Sequence, residues 1–136
     1  MNKKILLPLD GSYRDLIAVN FLKENFSPKE TEVILLNVGQ IVYVEGSIVA
    51  DMIVSEEELG IKILERAAEN LKGFHCIKEF KFGYADEVII NYSNALKVDM
   101  IIMAKNTKKK FVQIIGSVTS KVIKRAKCSV MMLPQV

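Results

Sequence analysis

Residues Val98 to Pro134 read VDMIIMAKNTKKKFVQIIGSVTSKVIKRAKCSVMMLP, and the reading of this stretch decides the fold. A short apolar run, Met100 to Ala104, follows Asp99. A basic polar loop comes next, then an amphipathic helix directly behind Gly116 and Ser117, then a second apolar run from Ser129 to Leu133. Strand, loop, helix and strand in that order make a βαβ unit, because parallel strands need a crossover and a helix is the usual one. In such a unit the loop above the first strand, with the helix N-terminus that it feeds, is the natural place for an anion.

The rest of the chain repeats this grammar. Lys3 to Leu9 has the make-up of a buried strand, with Pro8 at its carboxyl rim, where a missing amide does least harm. Asp10-Gly11-Ser12 makes the turn, and Asp10 and Ser12 are candidate caps for a helix over Tyr13 to Asn25. Thr31 to Val38 is a second buried-type strand. Gly39 to Val54 is apolar but broken by Gly39 and Gly46, and is expected as a short helix or an irregular cap over the sheet, with a lid or partner surface as the other reading. Ser55 with Glu58 has capping-box spacing and predicts a helix over Ser55 to Lys72 that stops at Gly73. Phe74 to Phe82 interleaves Lys78, Glu79 and Lys81 with apolar residues, which suits an edge strand. Glu87 to Leu96 is the next helix. Five strands alternating with helices predict an α/β fold in three α/β/α layers, built on a five-stranded parallel sheet.

Composition sets the bounds. At 136 residues, half of them apolar and 26% charged, the chain is expected to form one domain over residues 1–136. A net charge of +3 without a basic stripe interleaved with aromatics does not point to nucleic acid. Cys76 and Cys128 have no C-x-x-C spacing and His75 is the single imidazole, so neither a metal site nor a disulfide framework is expected. No apolar run is long enough for a signal-peptide core or a membrane span, and a reducing cytoplasmic setting is the expectation.

Five segments, in order, resemble the universal stress protein family: ILLPLDGS (Ile5 to Ser12), LLNV (Leu35 to Val38), GYADEVII (Gly83 to Ile90), DMIIMA (Asp99 to Ala104) and GSVTSKVIKRAKCSVMMLP (Gly116 to Pro134). The resemblance covers essentially the whole chain. It implies strand order 3-2-1-4-5 and, in the nucleotide-binding members, a phosphate loop of pattern G-x2-G-x9-G-[ST] at the end of the fourth strand. Glycines there allow φ > 0 and close approach of backbone amides to phosphate oxygens. Carried over by position, adenine would lie against Pro8, Asp10, Val38 and Met103. Ribose and phosphates would meet Ala104, Asn106, Gly116, Ser117 and Val118.

This chain departs from that pattern. Ala104 stands at the first glycine, Thr107 at the second, and only eight residues, Lys108 to Ile115, precede Gly116. Threonine is a poor residue for a left-handed backbone, although a one-residue slide offers Asn106, which tolerates it. The cradle is therefore degenerate. The lysines 108 to 110 read as a solvated loop more readily than as replacement phosphate ligands. Asp99 reads as structural, and His75 and Cys76 carry no assigned chemistry. No Walker A, G-x-S-x-G or H-E-x-x-H pattern is present, so no catalytic residue is nominated.

The expectation is a non-enzymatic binding and interaction protein of the stress response that requires no cofactor. ATP or AMP, with magnesium, is the ligand of an alternative sensor reading, and slow nucleotide hydrolysis is a third reading. The terminal strand, Ser129, Val130, Met131, Met132 and Leu133, carries no charge and should lie at a sheet edge, an invitation to pair with another chain. The resemblance implies that it pairs across a two-fold axis to make a homodimer.

Overall fold

The computed structural model describes residues 2–41, 43–48, 50–105 and 117–134. In chain order the elements are β1 (Lys3–Leu9), α1 (Arg14–Asn25), β2 (Thr31–Gly39), β3 (Tyr43–Val44), β4 (Ser47–Ile48), α2 (Ala50–Glu69), β5 (His75–Phe82), α3 (Ala85–Ala95), β6 (Met100–Ala104), α4 (Ser117–Arg125) and β7 (Ser129–Leu133). The main sheet has the order β5-β2-β1-β6-β7 and every pairing in it is parallel. With the small β3-β4 pair set aside, that is the predicted 3-2-1-4-5.

Strand pleating divides the apolar residues between two helical layers. Ile5, Leu7 and Leu9 of β1, with Val33 and Leu35 of β2, pack with Ala18, Val19 and Leu22 of α1 and Leu64 and Ala67 of α2. Leu6, Ile34, Leu36 and Ile101 point the other way and meet Ile89 and Ile90 of α3 and Val122 of α4. Alternation of period two along strands apolar on both sides is what produces the three layers. Ile5, Leu6 and Leu7 are each fully buried, and full burial of such a side chain is worth about 1.5–3 kcal/mol.

The position of Pro8 opens the sheet. In a parallel ladder one residue directs both its amide and its carbonyl to the same neighbour, and successive residues alternate. The Lys3 amide donates to the Glu30 carbonyl on the β2 side at 2.8 Å, while the Lys4 carbonyl accepts from the Asp99 amide on the β6 side at 2.9 Å. Counting on in twos, Leu6 and Pro8 both face β6. Proline has no amide to give, and pairing with β6 runs only from Ile5 opposite Met100 to Leu6 opposite Ile101. On the other side β1 pairs with β2 as far as Leu9 opposite Asn37. The central strand thus parts from β6 at its carboxyl end, which is where a doubly wound sheet reverses direction and leaves room for a ligand.

Three local expectations are corrected. The second helix starts at Ala50, so Ser55 and Glu58 lie inside it and form no capping box at its start. Its last turn tightens, with the Leu71 amide donating to the Ala68 carbonyl at 3.0 Å, before Gly73 takes φ +94° as the predicted stop. Within Gly39 to Val54 the described residues contain a hairpin, β3 against β4, joined by Glu45 and Gly46 at φ +53° and +79°. Two successive positive φ values are the signature of a type I′ turn. Finally, neither Asp10 nor Ser12 caps α1; the residue before that helix is Tyr13, and it makes no side-chain capping bond.

Candidate functional site

A crevice opens where β1 and β6 separate, with a volume of about 170 Å³. Its floor and walls come from Pro8 and Leu9 of β1, Leu36 and Val38 of β2, Met103 and Ala104 of β6, Ala85 and Ile89 of α3, and Val118 and Thr119 of α4. The described walls suit one flat apolar ring system, while sites for drug-sized ligands run to ~300–1,000 Å³.

Of the residues selected from sequence, the crevice brings together Pro8, Asp10, Val38, Met103, Ala104 and Val118. Ser117 begins α4 beside it but is exposed and does not line it. Asn106 and Gly116 lie outside the described residues. Asp99 is at the other end of the sheet, where its Oδ2 accepts the Lys4 amide at 2.7 Å, in keeping with a structural role. His75 opens edge strand β5 opposite Glu32, at the amino end of the ladder and away from the crevice. Among the described residues no group of three or more His, Cys, Asp and Glu could hold a metal ion.

The polar rim is a short network that sequence reasoning found only in part. Asp10 Oδ1 accepts from the backbone amide and the hydroxyl of Ser12, and Asp10 Oδ2 accepts from Arg14 at 2.6 Å. Burial alone would raise the Asp10 carboxyl, but the Ser12 and Arg14 contacts outweigh it and hold the group below its ordinary value. Asp15 behaves oppositely. Its Oδ1 accepts the Asp10 amide at 3.0 Å and its Oδ2 the Gly11 amide at 2.7 Å. Burial nonetheless prevails, helped by the neighbouring Asp10 charge, and the Asp15 carboxyl is pushed up to about 6. Arg14 and Asp15 were missed from sequence. The available signals were the four-residue step from Asp10 to Arg14 and an aspartate in the first turn of a helix, where it faces free amides.

Behind the same turn lies a second cavity of about 320 Å³, between α1 and α2. Val19, Ile63 and Ala67 form its apolar part, Tyr13 and Leu16 its exposed lip, and Arg66 its cationic edge. Asp15 borders both cavities. The two thiols add no activated nucleophile: burial pushes both Cys76 and Cys128 up from the ordinary thiol value.

A sequence model of the universal stress protein family matches residues 1–134. The chain belongs to that family. A universal stress protein of Methanocaldococcus jannaschii is 29% identical over 140 residues, covering 96% of this chain and 81% of that protein. Among solved structures, the hypothetical protein MJ0577, presented as a test case for assigning biochemical function from structure, shares 33% identity at a TM-score of 0.70 and covers 100% of this chain and 98% of its own. A universal stress protein family member from Arabidopsis thaliana, solved with AMP bound, has the same fold at 19% identity and a TM-score of 0.75, covering 98% and 92% of the two chains. As in those structures, this universal stress protein is built on helices flanking a parallel sheet. Among its described residues no helix is long and apolar enough to cross a membrane.

Proposed function

We propose that this universal stress protein works as a single cytoplasmic domain that binds an adenine nucleotide and passes that state on through contacts with other molecules, without catalysing a reaction. One observation carries the reading: Pro8, Asp10, Val38, Met103, Ala104 and Val118, chosen from four separate segments of sequence, meet around one cleft at the reversal point of the sheet. Relatives of the same fold solved with cAMP, AMP and dAMP support an adenine compound as the ligand class. Adenine would lie between the Val38 and Met103 sides, with phosphates toward Asn106, Gly116, Ser117 and Val118. Magnesium would come with the phosphates.

The non-catalytic reading is favoured because the one crevice carboxyl with a near-neutral pKa, Asp15, is committed to two backbone amides and not free to take a proton from water. Edge strand β7 supports a homodimer. Val130, Met131 and Met132 are only half-buried in the single chain, and among the described residues no strand pairs with the outer side of β7.

Thermal unfolding tests the ligand assignment. A ligand at 100 times its Kd adds about 2.7 kcal/mol to stability. AMP at millimolar concentration should raise the Tm of the wild-type chain, and Val38→Trp, which fills the cleft, should abolish the rise. If neither AMP nor ATP with magnesium moves the Tm, the assignment fails. Complete conversion of bound nucleotide on prolonged incubation would replace it with the hydrolase reading.

A further inference from the structure

The crevice is lined mostly by apolar residues, and its described walls carry four polar side chains: Asp10, Arg14, Asp15 and Thr119. Thr119 is buried on α4, and each oxygen of Asp15 accepts from a backbone amide. That leaves Asp10 and Arg14, which meet across the turn into α1 with Oδ2 and Nη2 2.6 Å apart. Their hydrogen-bonding capacity is not used up. An ionised carboxylate has about four acceptor positions and a guanidinium about five donors. Among the described residues Asp10 fills three of its positions, since Oδ1 accepts from the amide and the hydroxyl of Ser12 and Oδ2 accepts from Arg14. One position on Oδ2 remains, directly beside a guanidinium whose only bond among those residues is the one to Asp10.

The pair thus presents an acceptor and a donor side by side, and both are held. Ser12 fixes one carboxylate oxygen, Arg14 the other, and the Arg14 side chain is only 20% exposed. Both residues stand on the α1 side of the crevice, while ribose and phosphates belong on the α4 side. The edge of adenine that faces away from its ribose carries the N6 amino group, a donor, next to N1, an acceptor. Hypoxanthine and guanine carry the reverse there, an O6 acceptor next to an N1–H donor. Against Asp10 and Arg14 they would set acceptor on acceptor and donor on donor, which is how a site rejects a wrong partner.

We propose that Asp10 and Arg14 together read the base, Asp10 accepting from the N6 amino group and Arg14 donating to N1, so that the site takes adenine nucleotides and refuses those of hypoxanthine and guanine. This assignment rests on the crevice being an adenine-nucleotide site and names what makes it choose adenine. The Ser12 and Arg14 contacts that hold the Asp10 carboxyl below its ordinary value also keep it ionised at neutral pH, hence able only to accept. A pair serving the fold alone would act as an ordinary helix-surface ion pair and leave the choice of base untouched.

The test compares Kd values by calorimetry for AMP, for IMP and for the AMP analogue with carbon in place of N1, in the wild type, Arg14→Met and Asp10→Asn. In the wild type, IMP and the analogue should each bind roughly tenfold or more weakly than AMP, the scale of a good base contact. In Arg14→Met the analogue should bind as well as AMP, because the donor that told them apart is gone. In Asp10→Asn, whose amide can donate to O6, the preference for AMP over IMP should shrink by roughly tenfold. Asp10→Asn is isosteric and keeps the readout available should Arg14→Met fail to fold. Equal wild-type affinity for AMP and IMP, or a preference that neither substitution changes, overturns base reading by this pair while the nucleotide site stands. Absence of binding by any adenine compound, in wild type and variants alike, overturns the site and this inference together.

Discussion

The side-chain amide of Asn37 donates to the carbonyl of Leu9 at 2.8 Å, inside the core and 28 positions away in sequence. Asn37 sits near the end of β2 and Leu9 at the end of β1, so the bond fastens the central strand on one side where Pro8 has released it on the other. Asn37→Ala removes the donor and leaves a cavity beside it. A loss of about 1–3 kcal/mol in urea unfolding is expected, with the folded structure retained. A change inside ~0.5 kcal/mol, the range of an ordinary surface substitution, would show that the bond contributes nothing.

Gly60 lies in the middle of α2, where replacing glycine by alanine would normally stabilise a helix by about 1 kcal/mol. Here a methyl group would strike the ring of Phe80 and stand 2.6 Å from Asn37 Oδ1. Close approach of helix to sheet outweighs propensity, and Gly60→Ala should destabilise by about 1–3 kcal/mol. Chemical denaturation gives the sign directly, and stabilisation would mean that α2 sits farther from the sheet.

Asp15 and Asp10 predict opposite pH responses of stability. The folded Asp15 pKa is raised above the ordinary aspartate value of 3.8 to about 6, so the folded state binds the proton more tightly than the unfolded state. Its contribution is fully present below 3.8 and is lost as pH rises through about 6. Asp10 is lowered, so its contribution is present above 3.8 and is lost only as pH falls through its depressed folded value. Between about pH 7 and about pH 5 the wild type should therefore gain stability relative to Asp15→Asn. Parallel Tm profiles for the two proteins in that window would refute the assignment.

Met132 lies on edge strand β7 and, unlike Val130, Met131 and Leu133, packs into neither core cluster. Met132→Lys puts a charge on the edge that the proposed dimer uses, without cutting into the core. Light scattering should give twice the 15.3 kDa chain mass for the wild type and the single mass for the variant, at nearly unchanged Tm. Equal masses for the two proteins would place the dimer contact elsewhere or remove it.

The sheet was legible because its strands are short apolar runs bounded by turn residues, and Pro8 at the rim of β1 already hinted at where the ladder ends. Gly39 to Val54 was not, for physical reasons. Its strands are two residues each, too short to show alternation, and Glu45 takes a left-handed conformation that its residue type gives no reason to expect. Ser55 and Glu58 imitate a helix start while the helix already runs from Ala50, since capping-box spacing is also ordinary i,i+3 spacing inside a helix. At the crevice, the residues that end strands could be picked from sequence. Asp15 could not, because its importance comes from bending back to the amides of Asp10 and Gly11 and from the burial that this imposes.

The most direct test of the crevice as an adenine-nucleotide site is a methyl NMR titration with AMP. The account predicts saturable shifts at the crevice methyls, Met103, Val38 and Val118 among them, with Val19 and Ile63 in the cavity between α1 and α2 unmoved. Shifts centred on Val19 and Ile63, with Met103, Val38 and Val118 silent, would contradict it.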